Sequence, residues 1–142
     1  MLELDAATLG ASHPTNAETH ITLGVAYEFS EDWERATAHG TRALELANAA
    51  ARPNEAVRAV SLTNLAAAST HKGDFRAAME SLEQVYAIRL ATMGSEHPDT
   101  ARVAGSIGTL AHDSGDLQTA IRWRTEALSL YGNGFDAHEA SY

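Results

Sequence analysis

The chain repeats itself at a spacing of 42 residues, and this period restricts the fold more than any other feature of the sequence. Shifting the sequence by one period brings three segments into register. Three columns of this internal alignment are identical in every copy, namely Ala17, Ala59 and Ala101, then Asp32, Asp74 and Asp116, and finally Ala36, Ala78 and Ala120. A fixed period of this size is typical of arrays in which one small structural unit stacks on the next. The sequence therefore predicts an array of three units.

Each copy consists of two helical stretches separated by a short turn. Apolar or small residues recur at helical spacing, and the stretches contain no internal proline. The predicted helices cover residues 15–30, 33–50, 55–72, 75–92, 99–114 and 117–131. Two of the turns contain Gly73 and Gly115, which can adopt the left-handed conformation that closes a helix, whereas the first turn has Glu31. The pattern predicts an all-α fold of antiparallel helix pairs.

The residues around each turn also have a structural interpretation. Asp32, Asp74 and Asp116 follow the turns directly, where an Asp side chain accepts hydrogen bonds from the free N–H groups of the next helix. We therefore predict that they are N-caps rather than catalytic residues. The large apolar residues that follow them are predicted to fill the seam between the helices; they are Trp33, Phe75 and Leu117.

Small residues recur at two further positions of the repeat. The first helices carry Gly24, Ala66 and Gly108 in register, and the second helices carry the alanine column that includes Ala78. Small side chains let two helix backbones approach closely, and added bulk pushes such a pair apart. We predict that both columns lie in the seam of each helix pair.

Composition and charge exclude several classes of function. The 142 residues include 19 Asp and Glu against 10 Lys and Arg, no Cys, and a formal net charge of -9. Disulfide and thiol chemistry are thereby excluded. An acidic chain without a basic stripe repels nucleic acid and anionic membranes. No stretch approaches the roughly 18 apolar residues of a membrane span. We therefore predict a cytoplasmic protein with neither nucleic-acid nor membrane partners.

No motif in the sequence points to catalysis. The seven histidines include no HExxH motif and no pair spaced three or four residues apart, so we predict no metal site. His71 and the His112-Asp113 pair have no nucleophile in a recognised arrangement. Gly132-Asn133-Gly134 lacks the strand and the lysine of a phosphate loop, and we interpret it as a helix stop. The chain is predicted to be a non-enzyme without a cofactor.

The repeated positions resemble the tetratricopeptide repeat. Leucine or isoleucine with glycine on the first helix, a glycine-aspartate turn, and alanine-leucine on the second helix carry the likeness. The period and the linkers 9–14 and 93–98, which both end in His-Pro, resemble the kinesin-light-chain-like subclass. This resemblance implies a right-handed superhelical solenoid with three units, at about 13–50, 55–92 and 97–131. Residues 1–10 would be the remnant of a preceding helix, and 132–142 a linker to a further repeat.

The resemblance also implies a function. Members of the family capture a peptide or a partner domain in a concave groove that the first helices line, and the subclass is frequent in bacterial signalling proteins. By register, the groove residues are Glu18, Thr22, Glu28, Asn64, His71, Arg102, Ser106 and Asp113. Asn64 is similar to the asparagine that grips peptide backbones in many members, or it is an ordinary surface residue. The acidic members of the set predict a basic or mixed polar partner.

Two classes of function therefore stay open on the sequence. The first is a protein-interaction scaffold within a larger signalling or regulatory protein. The alternative is an oligomerisation or spacer segment whose groove is idle, with end-to-end self-association through apolar faces at the ends of the array. A small-ligand sensor is a weaker third interpretation, because the groove columns contain no cluster of large aromatic residues.

Overall fold

A computed structural model describes residues 14–52 and 54–139, with side chains for 16–52 and 54–131. This part of the chain contains six α-helices and no strand. The helices are α1 (Pro14–Phe29), α2 (Trp33–Ala49), α3 (Glu55–His71), α4 (Phe75–Met93), α5 (Pro98–Asp113) and α6 (Leu117–Glu139). The predicted all-α class is therefore confirmed.

The helix ends follow the sequence pattern closely, with one exception. Every predicted end lies within one residue of the observed end except the last. There, α6 continues through Gly132-Asn133-Gly134 to Glu139, so the predicted helix stop is wrong. Glycine inside a helix costs about 1 kcal/mol relative to alanine, and without a proline this cost does not break the helix. The predicted remnant at residues 1–10 lies outside the described residues, and the role of 132–142 as a linker stays a prediction.

The chain divides into two compact units, with the boundary between Ser81 and Leu82 inside α4. In the first unit, α1 packs on α2, α2 packs on α3, and α1 also contacts α3. In the second unit, α5 packs on α6. The second unit has a core of Ala101, Ala104, Ala127 and Leu130, against which Tyr86 and Trp123 pack.

The three repeated aspartates cap the second helix of each pair, as predicted. In every case a side-chain oxygen accepts a hydrogen bond from the backbone N–H three residues later. The pairs are Asp32 with Arg35 (3.2 Å), Asp74 with Ala77 (3.1 Å) and Asp116 with Thr119 (3.1 Å). The bonds from Thr119 also lower the pKa of Asp116, because they stabilise its carboxylate form. Helix capping alone therefore explains why aspartate recurs at this position of the repeat.

The linker before α5 is held by two hydrogen bonds that the sequence analysis missed. His97 is the N-cap of α5, and its ring Nδ1 accepts from the N–H of Asp99 at 3.0 Å. Thr100 is fully buried, and its hydroxyl donates to the carbonyl of Gly94 at 2.8 Å. The sequence placed His97 in the loop before the proline but gave it no partner. Its role in the repeated His-Pro linker is to start the helix.

The columns of small residues lie in tight seams, although the two seam glycines differ. Ala36, Ala78 and Ala120 are 2%, 0% and 3% exposed. A Cβ atom built on Gly108 would lie 2.8 Å from Cγ of Arg124 and 3.3 Å from its backbone nitrogen. The nearest atom to a Cβ on Gly24 is the carbonyl oxygen of Ala36, at 3.6 Å. The contact with Arg124, closest at its side-chain Cγ atom, therefore requires glycine at Gly108, whereas Gly24 leaves room for a methyl group.

The turn of the first repeat holds a side-chain-bearing residue in a left-handed conformation. Glu31 has φ of 61°, whereas the corresponding Gly73 and Gly115 have 80° and 88°. The left-handed region costs an L-residue roughly 1–2 kcal/mol. We therefore expect Glu31→Gly to raise the free energy of unfolding by about 1 kcal/mol, measured by urea denaturation.

Two variants separate backbone strain from the loss of a charge. Glu31→Ala removes the carboxylate but keeps the Cβ atom, so we expect it to give much less stabilisation than Glu31→Gly. Gly73→Ala should destabilise the second turn by roughly 1 kcal/mol. A Glu31→Gly variant no more stable than Glu31→Ala would contradict this explanation.

Candidate partner-binding site

The predicted groove residues of the first unit lie on α1 and α3. Glu18, Thr22 and His71 are exposed, as expected for residues that meet a partner. Glu28 and Asn64 are half-buried instead, although the sequence placed them on the exposed side of their helices. The first unit thus combines surface groups with two polar groups that reach below the surface.

The structure brings Glu28 and His71 into electrostatic contact near the C-terminal ends of α1 and α3. Burial raises the pKa of the Glu28 carboxyl, and the charge of His71 opposes that shift. Oε1 of Glu28 is buried and has no hydrogen-bond partner among the described residues. The ionised form of a carboxyl group is less stable in this buried position than in water, so a hydrogen-bond donor from a partner would stabilise it.

His71 also stacks on an aromatic ring of α2. Its ring lies parallel to that of Trp33, with 3.9 Å between centroids and 7° between planes. The sequence predicted that Trp33 and its counterpart Leu117 fill the seam between helices. Trp33 is half-buried and lies between α2 and α3, whereas Leu117 is 58% exposed, so the prediction is wrong for Leu117.

Asn64 presents an amide group whose donor is not used. The residue is half-buried, and its Nδ2 atom is buried without a hydrogen-bond partner in the described part of the chain. Leaving a buried donor unpaired costs roughly 1–3 kcal/mol. A backbone carbonyl of a bound peptide is the kind of acceptor that removes this cost.

A stack of aromatic rings joins α1 and α2, and the sequence did not predict it. Nδ1 of His20 lies 2.8 Å from Nδ1 of His39, and the His39 ring stacks on Tyr27 with centroids 5.5 Å apart. The guanidinium of Arg35 lies 5.5 Å from the centroid of Tyr27. Burial lowers the pKa of His20, and the positive charges of His39 and Arg42 lower it further. One ring nitrogen donates and the other accepts in this contact, which links α1 to α2.

The predicted site residues of the second unit are all on α5 and all exposed. Arg102 forms an ion pair with Asp99, one turn earlier on the same helix. Asp113 lies beside the ring of His112, with 3.4 Å between Nδ1 and Oδ1. The hydroxyl of Ser106 donates to the carbonyl of Arg102 at 3.0 Å. An exposed ion pair such as that of Arg102 with Asp99 contributes little to stability, so a partner can replace it at little cost.

A sequence model of the tetratricopeptide repeat matches residues 57–133, which is more than half of the chain. The chain belongs to the tetratricopeptide repeat family. No curated protein matches the sequence.

Two solved structures show the same tetratricopeptide repeat fold. The first is BtubC (BKLC) from P. vanneervenii, with a TM-score of 0.82, 22% identity, and coverage of 93% of this chain and 53% of that chain. The second contains the nearly identical TPR-like repeats of a kinesin light chain from Podosopora anserina, with a TM-score of 0.76, 24% identity, and coverage of 93% and 63%. This chain therefore spans between about half and two thirds of the length of these two proteins.

Neither a metal-ligand cluster nor a membrane-spanning helix occurs among the described residues. Within the described residues, no group of three or more His, Asp or Glu side chains is placed to hold a metal ion. None of the described helices is long and apolar enough to cross a membrane.

Proposed function

We propose that this tetratricopeptide repeat protein is a protein-interaction scaffold whose first helices bind an extended peptide or a partner domain. Tetratricopeptide repeats generally mediate protein–protein interaction, and their fold is typically a non-catalytic scaffold. The observation that carries the proposal is the buried and unpaired Nδ2 of Asn64 on α3. The half-buried Asn64 side chain would donate to a peptide carbonyl after a rotation that exposes Nδ2, and it lies one period away from the hydroxyl groups of Thr22 and Ser106.

The two hydroxyls are acceptors for a partner rather than donors. Thr22 donates to the carbonyl of Glu18 at 3.1 Å, and Ser106 donates to that of Arg102. Each hydroxyl proton is thus used within its own helix, while oxygen lone pairs remain free to accept a hydrogen bond. These hydroxyl oxygens can therefore accept hydrogen bonds from the N–H groups of a peptide backbone or from the side chains of lysine and arginine.

Charge supports a basic or mixed polar partner. Glu18, Glu28 and Asp113 lie on the first helices, and the chain has a formal net charge of -9. Acidic surfaces attract basic segments and raise their association rates at low salt. We therefore propose a basic or mixed polar segment as the partner, in the cytoplasm and within a larger signalling or regulatory protein.

The proposal is tested by selecting peptides from a random displayed library on the intact protein. Affinities of the selected peptides are then measured by fluorescence polarisation. We expect basic residues to be enriched, and Asn64→Ala combined with Glu18→Ala to weaken binding by about tenfold, which corresponds to roughly 1.4 kcal/mol.

Glu83→Ala is the matched control for this test. Glu83 is exposed on the second helix α4, so its loss removes a negative charge without touching a first helix. The control variant should retain the affinity of the unmodified protein. Equal affinity for the double variant and the unmodified protein would contradict the proposed role of the first helices.

Self-association is the second function that an observation favours. Several large apolar side chains of α6 are exposed, and they lie on a second helix rather than on a first helix. These apolar side chains are not among the proposed peptide-binding residues, so the two functions use different groups.

A further inference from the structure

One side of α6 is apolar and exposed. Leu117, Ile121, Leu128 and Tyr131 are 58%, 66%, 71% and 50% exposed. Their spacing of three, four or seven residues places them on the same side of the helix, together with Arg124. We call these five residues the α6 face.

The repeat period identifies what covers this face elsewhere in the chain. Two periods earlier, the corresponding residues are Trp33, Thr37, Gly40, Leu44 and Ala47 on α2. All five are buried or half-buried. We call them the α2 face.

Helix α3 packs on the α2 face. The ring of Trp33 stacks on His71 of α3, and a Cβ atom on Gly40 would lie 3.1 Å from Cδ2 of Leu65. The same side of a second helix is thus covered by the next first helix in one repeat and uncovered on α6.

The chain carries a matching surface on α1. One period before Leu65, Ala68 and His71 of α3 stand Leu23, Ala26 and Phe29, which we call the α1 face. Ala68 is fully buried, whereas Ala26 is exposed and Phe29 is 85% exposed. The α1 face is uncharged, and among the described residues no helix packs on it as α2 packs on α3.

We propose that the α6 face of one copy of this chain packs on the α1 face of a second copy, head to tail. The contact repeats the packing of α3 on α2, with Phe29 of one copy against Leu117 of the next, as His71 lies against Trp33. A second copy is the occupant because each chain provides both halves of a contact that it already makes internally. Arg124 is accommodated with its stem on apolar surface and its guanidinium in solvent.

A head-to-tail contact has two consequences for assembly. It is heterologous, so each added copy leaves one free face at either end and growth continues unless the rotation closes a ring. Since every copy is acidic, repulsion between copies opposes association and salt screens it. Assembly should therefore increase with protein concentration and with ionic strength.

The experiment blocks each face separately with a charge. Phe29→Glu blocks the α1 face and Ile121→Glu blocks the α6 face; both residues are well exposed, so folding should be retained and is checked by circular dichroism. Sedimentation velocity over a concentration series should show unmodified protein that grows in mass and two variants that each stay monomeric. An equimolar mixture of the variants should form one-to-one dimers and nothing larger, because it contains one intact pair of faces.

Gln118→Glu is the control, since it adds the same charge on α6 outside the α6 face. The corresponding residue of α2, Glu34, is exposed although α3 covers the α2 face. The control should assemble like the unmodified protein. A symmetric contact between two α6 helices would leave Phe29→Glu able to dimerise, and that result would overturn the proposal. So would unmodified protein that stays monomeric at every concentration, as expected if a different protein covers the α6 face.

Discussion

Replacing Ala78 by leucine is expected to lower the free energy of unfolding by roughly 1–3 kcal/mol. Ala78 is completely buried at the start of α4, in the column whose other members are Ala36 and Ala120. The carbonyl oxygens of those two alanines lie 3.6 Å and 3.5 Å from a Cβ atom built on Gly24 and Gly108, respectively. A column this close to the facing helix leaves no volume for three further carbon atoms, so either the helices separate or the side chain takes a strained rotamer.

The measurement for Ala78→Leu is thermal unfolding, with an expected decrease in Tm of roughly 3–10 °C for a chain of this size. Ala87→Leu is the matched control, because it is the same substitution on the same helix at an exposed position. Alanine and leucine have similar helix propensities, so the control should change Tm little. An unchanged Tm in the Ala78→Leu variant would show that the column does not lie in a tight seam.

Replacing Gly108 by alanine should leave the protein roughly 1–3 kcal/mol less stable than replacing Gly105 by alanine. Both glycines lie inside α5, so both substitutions bring the same gain in helix propensity of up to about 1 kcal/mol. A Cβ atom on Gly105 meets no atom within 4 Å, whereas one on Gly108 would lie 2.8 Å from Cγ of Arg124. Urea denaturation of the two variants isolates the steric cost, and equal stabilities would contradict it.

The Arg124→Ala background identifies the atom responsible for this cost. It removes Cγ of Arg124 but keeps the backbone nitrogen, which is 3.3 Å from the position of the new Cβ atom. We expect the difference between the Gly108 and Gly105 substitutions to shrink by more than half in this background. A difference that persists in full would place the cost in the backbone contact instead.

The fold was predictable because the repeat states its local signals more than once. A single Asp after a turn is ambiguous, but Asp32, Asp74 and Asp116 at one spacing indicate a helix cap, and the hydrogen bonds of all three confirm it. The apolar spacing recurs in all three copies, and the turn glycine and the His-Pro linker each recur in two, so the helix ends were predictable for the same reason. The end of α6 was missed because glycine disfavours a helix without forbidding it.

The candidate site was predictable only as a set of positions on helices. Register placed Glu28 and Asn64 on the first helices, but it did not reveal that their polar atoms are buried and unpaired. The same limit applies to His20 and His39, whose Nδ1 atoms meet across two helices although the residues are 19 positions apart. Such contacts depend on the distance and rotation between packed helices, and the period of a single helix carries no information on either.

The aspartate caps and the packing of α1, α2 and α3 have a consequence for how the chain folds. Each cap bonds a residue only three positions ahead, and most packing in the first unit joins helices that are adjacent in sequence. Contacts of short sequence separation close small loops, so little chain entropy is lost before they form. A helix pair can therefore begin to fold before distant parts of the chain meet, which makes each turn a local starting point for folding.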